Sequence, residues 1–262
     1  MINFEYLENN KESLSEQFHS AAPFEHIVID NFCEEEKLLS ALSSIPDPVG
    51  SNVNKSRDFI FAKNKFEKAD FDQLDPNLSV LKSELLSEKF EKLVSEIVKE
   101  EIFIDPTFHG GGLHQGGTGS YLNMHADFNF HPLNKTWFRN INILIYLNDG
   151  WQKSYAGELK LINKNDPDGK EYLVEPKFNR AVIMFTRDYT LHGYDAIQFP
   201  EGEYRRSIAA YGYTKHAEEG VVRTTVWYPE DGGVIKKVLG KYMPYIVRLK
   251  SSVLGSKTGK NK

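Results

Sequence analysis

The chain has 262 residues, of which 40% are hydrophobic and 26% charged, with a net charge of −5. That is enough for one large domain or two small ones, with the apolar material for a sizeable core. No run of roughly 18 apolar residues occurs, so no transmembrane helix is expected. The opening MINFEYLENNKESLSEQF lacks the basic start and apolar centre of a secretory signal. Cys33 is the only cysteine. That excludes an internal disulfide and a cysteine-based zinc cluster, and makes a reducing, cytoplasmic location the default.

From the N-terminus, FEHIVIDNF (Phe24–Phe32) carries the β-branched run of a strand. CEEEKLLSALSSI follows, acidic at its start and apolar at helical spacing, and reads as a helix ending before Pro46. Gly50–Asp70 is polar and irregular, which predicts a long exposed loop of the kind that serves as a lid. A second helix is predicted from about Asn77 to Glu101, with Leu78, Leu81, Leu85, Phe90, Leu93 and Ile97 on one side.

From about Phe103 the texture changes. SYLNMHADF, NINILIYLN, GELKLIN, EYLVEP, RAVIMFT, RRSIAAYGYT and VVRTTVWY are short strand-like runs separated by turn signals. They predict an antiparallel sandwich or barrel supported by the N-terminal helices. The basic amphipathic segment VIKKVLGKYMPYIVRLK comes after them. From Gly232 to Lys262 there are eight Lys or Arg and no acid, so the rest of the chain holds 24 basic against 37 acidic residues, a net of −13. An acidic body argues against general nucleic-acid binding. The tail could make a weak contact with phosphates or anionic lipid, but a solvated helix with a frayed end is the plainer expectation.

One constellation carries chemistry. In a strand, residues i and i+2 share a face, so His125 and Asp127 of HADF can converge on one point. Two His and one carboxylate leave positions open on a divalent metal, the pattern of non-heme Fe(II) oxygenases. Taken alone, His-x-Asp is a weak signal. The second His must come from a distant strand. His192 follows RAVIMFT and a short turn and precedes Gly193, whereas His114 and His131 sit outside the expected ligand strand. Downstream, RRSIAAYGY opens with two arginines. Arg supplies the fixed cationic fork that a dicarboxylate needs. Strand parity sets Arg205 with Ser207 and Ala209, and Arg206 on the other face with Ile208, so only one of the two can point into a pocket.

In this order, HADF, the distal His192 and Arg on the following strand resemble the prolyl 4-hydroxylase-like branch of the Fe(II)/2-oxoglutarate-dependent dioxygenases. GGGLHQGGTGSYLNMHADFNFHP, INILIYLNDGW, EPKFNRAVIMF and RRSIAAYGYT carry the likeness, strongest over Gly110–Thr214. The resemblance implies a mainly β fold, a double-stranded β-helix of jelly-roll or cupin type with helices packed on it. It implies one dioxygenase domain over residues 1–232 with its catalytic core at about 103–216, followed by a basic helix and tail over 233–262. It further implies that His125, Asp127 and His192 bind Fe(II), that Arg205 grips the far carboxylate of 2-oxoglutarate, and that the Tyr146 hydroxyl reaches the same carboxylate. Asn142 and Gln115 are candidate supporting or co-substrate contacts. O2 is the second co-substrate and ascorbate an optional accessory. The implied reaction hydroxylates an unactivated C–H bond as 2-oxoglutarate goes to succinate. With Asp127 present, no ligand position is left for halide, which favours hydroxylation over halogenation. The implied substrate is a peptidyl proline, a free amino acid, a sugar or another small molecule. The alternative class is a jelly-roll module that binds metal or ligand without turnover. One departure is visible: many members carry a tyrosine three residues before the first metal His, where this chain has Leu122, with Tyr121 one residue earlier.

Overall fold

The strand NKTWFRNINILIY sorts its residues by parity. Ile141, Ile143 and Ile145 are buried against a helical layer, in one core with Phe18, Leu38 and Phe90. Asn142 and Leu144 face the other way, along a cavity. A strand with one apolar face and one mixed face needs a layer on each side. In a computed structural model of the chain, which describes residues 1–48, 54–55, 60–166, 169–230 and 233–254, the two layers are helices outside and a rolled sheet inside.

In chain order the elements are α1 (Phe4–Ser20), β1 (His26–Asp30), α2 (Glu35–Ser43), β2 (Asn54–Lys55), β3 (Ala62–Lys68), α3 (Pro76–Leu85), α4 (Glu88–Val98), β4 (Phe103–Ile104), β5 (Gly112–Ala126), β6 (Phe130–His131), β7 (Asn134–Tyr146), β8 (Leu159–Asn163), β9 (Tyr172–Val174), β10 (Arg180–Phe185), β11 (Thr190–Tyr194), β12 (Arg205–Lys215), β13 (Val226–Trp227) and α5 (Gly233–Leu254). The sheet runs β1-β10-β7-β12-β5-β11-β8-β9, with β3 and β13 also on β5. Its pairs are antiparallel. The fold is therefore mostly β, a jelly-roll with helices at the N-terminus.

The long strand β5 joins the two faces of the roll. Its first half, Gly112–Gly116, pairs with β12, and its second half, Leu122 and His125, pairs with β11. Gly193 lets β11 come this close: a Cβ there would sit 2.5 Å from the Leu122 carbonyl oxygen. No helix among the described residues is long and apolar enough to cross a membrane.

Two expectations change. The helix predicted over about Asn77–Glu101 is two helices, α3 and α4. Ser87 breaks it, because its hydroxyl accepts a hydrogen bond from the Phe90 amide and caps a new N-terminus. The loop predicted over Gly50–Asp70 contains the strand β3, which pairs with β5 from Ala62↔Leu122 to Lys68↔Leu113. Phe61 is fully buried. Residues 49–53 and 56–59, the rest of the expected lid, lie outside the described residues, as does the Lys-rich end after Leu254.

Candidate active site

His125 and His192 are direct register partners across the β5–β11 pair, and Asp127 follows one residue after β5 ends. Two strands drawn from distant parts of the chain thus set three donors on one wall. The His125 Nε2 to Asp127 Oδ1 distance is 3.6 Å and the His192 Nε2 to Asp127 Oδ2 distance is 3.5 Å. One donor atom from each residue lies within 4.8 Å of the others. All three side chains are nearly buried.

The electrostatics suit a cation. His125 Nδ1–H donates to the Asn123 carbonyl oxygen at 2.9 Å, which fixes the tautomer and leaves the Nε2 lone pair for a metal. Burial, with His125 alongside, holds the His192 pKa down to about 3, so its ring is neutral. Burial alone would raise the Asp127 pKa. The Arg139 guanidinium beside it outweighs this and holds the carboxyl well below the usual range. Two imidazole nitrogens and one carboxylate, the cluster found among the described residues, are a fitting donor set for Fe(II) with positions left open.

Around these donors lies a second layer. Arg139 Nη2 is 3.0 Å from Asp127 Oδ2. The Asn142 amide donates to the same oxygen at 2.8 Å, and its own carbonyl accepts from Arg139 Nε and Nη2 at 3.0 and 2.7 Å. Arg139 in turn stacks on Tyr211, 3.5 Å from the ring centroid. On the other side Trp227 stacks on His125, with centroids 4.8 Å apart, and Phe61 stacks on Trp227 at 5.2 Å.

The triad borders a cavity of about 210 Å³ that Arg205 also lines. Arg205 is 8% exposed. Its Nε donates to the Gly157 carbonyl at 2.7 Å, and its guanidinium lies over the rings of Tyr194 and Tyr146, 4.2 and 5.1 Å from their centroids. Gly157 is required there: its φ is +84°, and a Cβ would sit 3.1 Å from Arg205 Cδ. Arg206 turns to the opposite face, where its Nε donates to Gln115 Oε1 at 2.7 Å.

Of the other expected residues, Asn142 touches Asp127. Gln115 is engaged by Arg206. Tyr146 is fully buried among Phe24, Leu159 and Val182, and its hydroxyl is 3.4 Å from Arg205 Nη2. Leu122 lines the cavity, whereas the Tyr121 hydroxyl donates away from it, to the Ile60 carbonyl. His114, set outside the ligand strand by the sequence reading, lies on β5 itself and lines the cavity. Sequence reasoning missed Arg139, Tyr194, Trp227 and Lys65, all of which also line it.

A family model described as the 2OG-Fe(II) oxygenase superfamily matches residues 111–213, which takes in the whole stretch from β5 to the body of β12. Among solved structures, a prolyl-4-hydroxylase from Pseudomonas putida is similar at 14% identity and a TM-score of 0.56, over 79% of this chain and 100% of that one. A prolyl hydroxylase from Trichoplax adhaerens, solved with a hypoxia inducible factor peptide fragment, is similar at 15% and 0.58, over 80% and 91%. A prolyl 4-hydroxylase from Phytophthora capsici is similar at 18% and 0.54, over 83% and 66%. At these identities the likeness establishes the fold. No curated protein matches the sequence. Residues 111–213 therefore match a 2OG-Fe(II) oxygenase domain, the kind that uses Fe(II), 2-oxoglutarate and O2, and His125, Asp127 and His192 all lie within the matched stretch.

Proposed function

We propose that the chain is a hydroxylase in which His125, Asp127 and His192 hold Fe(II) and Arg205 grips the distal carboxylate of 2-oxoglutarate. The observation that carries this reading is the convergence of the three donors on a cavity that also contains the inward-facing Arg205. When bound, the metal and co-substrate supply the oxidising chemistry. The chain's own part is to bind, orient and exclude water. His125, pinned by the Asn123 carbonyl and the Trp227 ring, can supply Nε2 in one orientation. Asp127 supplies negative charge, braced by Arg139 and Asn142. Phe128, Leu144 and Trp227 give the cavity apolar wall that keeps bulk water from a reactive centre.

Under this reading residues 1–232 act as one dioxygenase unit and the basic helix is an appendage. The substrate presents an unactivated C–H bond, on a peptidyl proline or a small molecule. The fold shared with prolyl hydroxylases supports the peptide only by analogy. A cytoplasmic setting suits Cys33, which is buried and whose thiol burial pushes up to about 12.

The test is succinate release from 2-oxoglutarate with Fe(II), alongside iron content and circular dichroism. His125→Ala and Asp127→Ala are expected to lose iron and succinate release while keeping the native spectrum. Full activity in both variants overturns the assignment.

A further inference from the structure

The C-terminal helix α5 packs one side on the body of the protein and turns the other to solvent. Gly240 sits against β13: a Cβ there would be 2.6 Å from the Trp227 carbonyl oxygen. Lys236, one turn earlier on the same side, is buried, with its Nζ 5.3 Å from the centroid of the Tyr121 ring. Trp227 in turn stacks on His125, so α5 is braced against the wall that carries the metal ligands.

The far side of the helix is apolar. Val234 and Ile235 are 77% and 83% exposed, and Val238, Tyr242 and Tyr245 are at least half exposed. Ile235, Val238, Tyr242 and Tyr245 are three, four and three residues apart, which puts them on one face, and Val234 adjoins it. Large apolar side chains gathered on one exposed face form a patch, unlike those scattered singly over a surface. Lys237 and Lys241 are also exposed. At about 100° per residue around the helix, they fall between the packed side and the apolar stripe. From Gly232 to Lys262 the sequence holds eight Lys or Arg and no acid.

Whatever covers this face must be apolar at the stripe and negative beside it. A second copy of α5 meets the first need, because stripes with this spacing zip into coiled coils. It fails the second: two basic segments with no acid between them repel in either orientation. A nucleic acid supplies negative charge but no apolar layer for the stripe. An anionic membrane leaflet has both, charged headgroups above an acyl layer. Tyr242 and Tyr245 suit that boundary, each with an apolar ring and a polar tip.

We propose that α5 docks on an anionic lipid surface. The helix lies in the plane of the leaflet with its apolar stripe inserted and Lys237 and Lys241 among the headgroups. This face lies outside the cavity, and its role is independent of the metal and co-substrate assignments.

The test is co-sedimentation of the full-length protein with vesicles of phosphatidylcholine and phosphatidylserine at about three to one, against vesicles of phosphatidylcholine alone. The native protein is expected to sediment with the mixed vesicles, much less with the neutral ones, and to be released as salt is raised. The double variants Ile235→Ser/Tyr242→Ser and Lys237→Gln/Lys241→Gln alter exposed side chains, so both should keep the native circular dichroism spectrum. Each should weaken binding to the mixed vesicles on the order of tenfold or more. No sedimentation with the mixed vesicles, or equal sedimentation with the neutral ones, overturns the proposal. So does a lysine variant that loses binding while the stripe variant keeps it, since that marks a phosphate patch without insertion. A dimer of the native protein in lipid-free solution that is absent in the stripe variant also overturns it, by giving the stripe to a second copy.

Discussion

Arg139 lies 3.0 Å from Asp127, and both side chains are nearly buried. The arginine holds the carboxylate charged and aimed before any metal arrives. Breaking a buried pair by removing one partner costs about 3–5 kcal/mol, because the other charge is left uncompensated. Arg139→Met is therefore expected to lower the melting temperature of the metal-free protein markedly and to weaken iron binding. Iron should restore part of the stability, since the cation takes over the guanidinium's role beside Asp127. Asn142→Ala should show a smaller loss, as it removes one hydrogen bond to Asp127 and leaves the guanidinium. Calorimetry with and without metal measures both; an unchanged melting temperature and iron affinity in Arg139→Met would show that the pair has no such role.

Ser87 divides the helical stretch before the sheet. Its hydroxyl accepts from the Phe90 amide at 3.2 Å, and Glu88 and Glu91 stand in the first turn of α4, where the helix dipole favours acids. Loss of such a cap costs about 1 kcal/mol. Ser87→Ala should lower the melting temperature by about 2–4 °C without changing 2-oxoglutarate affinity, because α4 packs on the outer side of the sheet. Ser87→Asp should retain the native value.

Period-two patterning made an antiparallel sandwich or barrel legible in the sequence, while the jelly-roll and the choice of His125, Asp127 and His192, which the structure brings within 4.8 Å of one another, came from the family resemblance. Parity alone also separated Arg205 from Arg206. Arg139 was not legible for a physical reason. It is an odd number of residues from Asn142, so regular alternation puts them on opposite faces. Opposite them, Gly212 pairs with Ile141 but Tyr213 pairs with Arg139. This bulge passes over Asn140 and brings Arg139 to the inner face beside Asn142. Lys65 was hidden because AKNKFEK is polar enough to read as a loop. It forms a strand only because β5 offers it an edge, and that is a long-range fact. Trp227 reaches His125 by the same kind of contact, through the two-residue strand β13, where the sequence suggested a longer one over VVRTTVWY.

His114 gives a pH dependence over the same range as that of His192, from which substitution of His114 alone separates it. Burial, with Lys65 nearby, lowers its pKa to about 3, against about 6.5 in an unfolded chain. Below about pH 6.5 the unfolded state takes up a proton that the folded state refuses, so stability falls as the pH drops toward about 3. The slope from this group approaches at most about 1.4 kcal/mol per pH unit. Urea midpoints measured between pH 7 and 4 should fall with pH in the native protein and fall less steeply in His114→Gln. Parallel slopes in the two proteins would mean that His114 does not titrate as its burial requires.

Arg205 and Arg206 are adjacent in sequence and are expected to differ sharply in function. Arg205 is buried, anchored by Nε on the Gly157 carbonyl and stacked between two tyrosine rings. Its side chain has few other conformations to adopt, so little entropy is lost when a carboxylate binds. Arg206 is half-buried on the outer face and donates to Gln115. Truncating a charge-assisted contact in a buried site costs a few kcal/mol, about a hundredfold in affinity. Isothermal titration of 2-oxoglutarate into Ni(II)-loaded protein should therefore show Arg205→Ala weakened on that scale and Arg206→Ala close to the native protein. Tyr146→Phe removes only a 3.4 Å contact to Arg205 Nη2, so it should weaken binding much less than Arg205→Ala. If Arg206→Ala gave the larger loss, the inner face of β12 would not be the co-substrate wall.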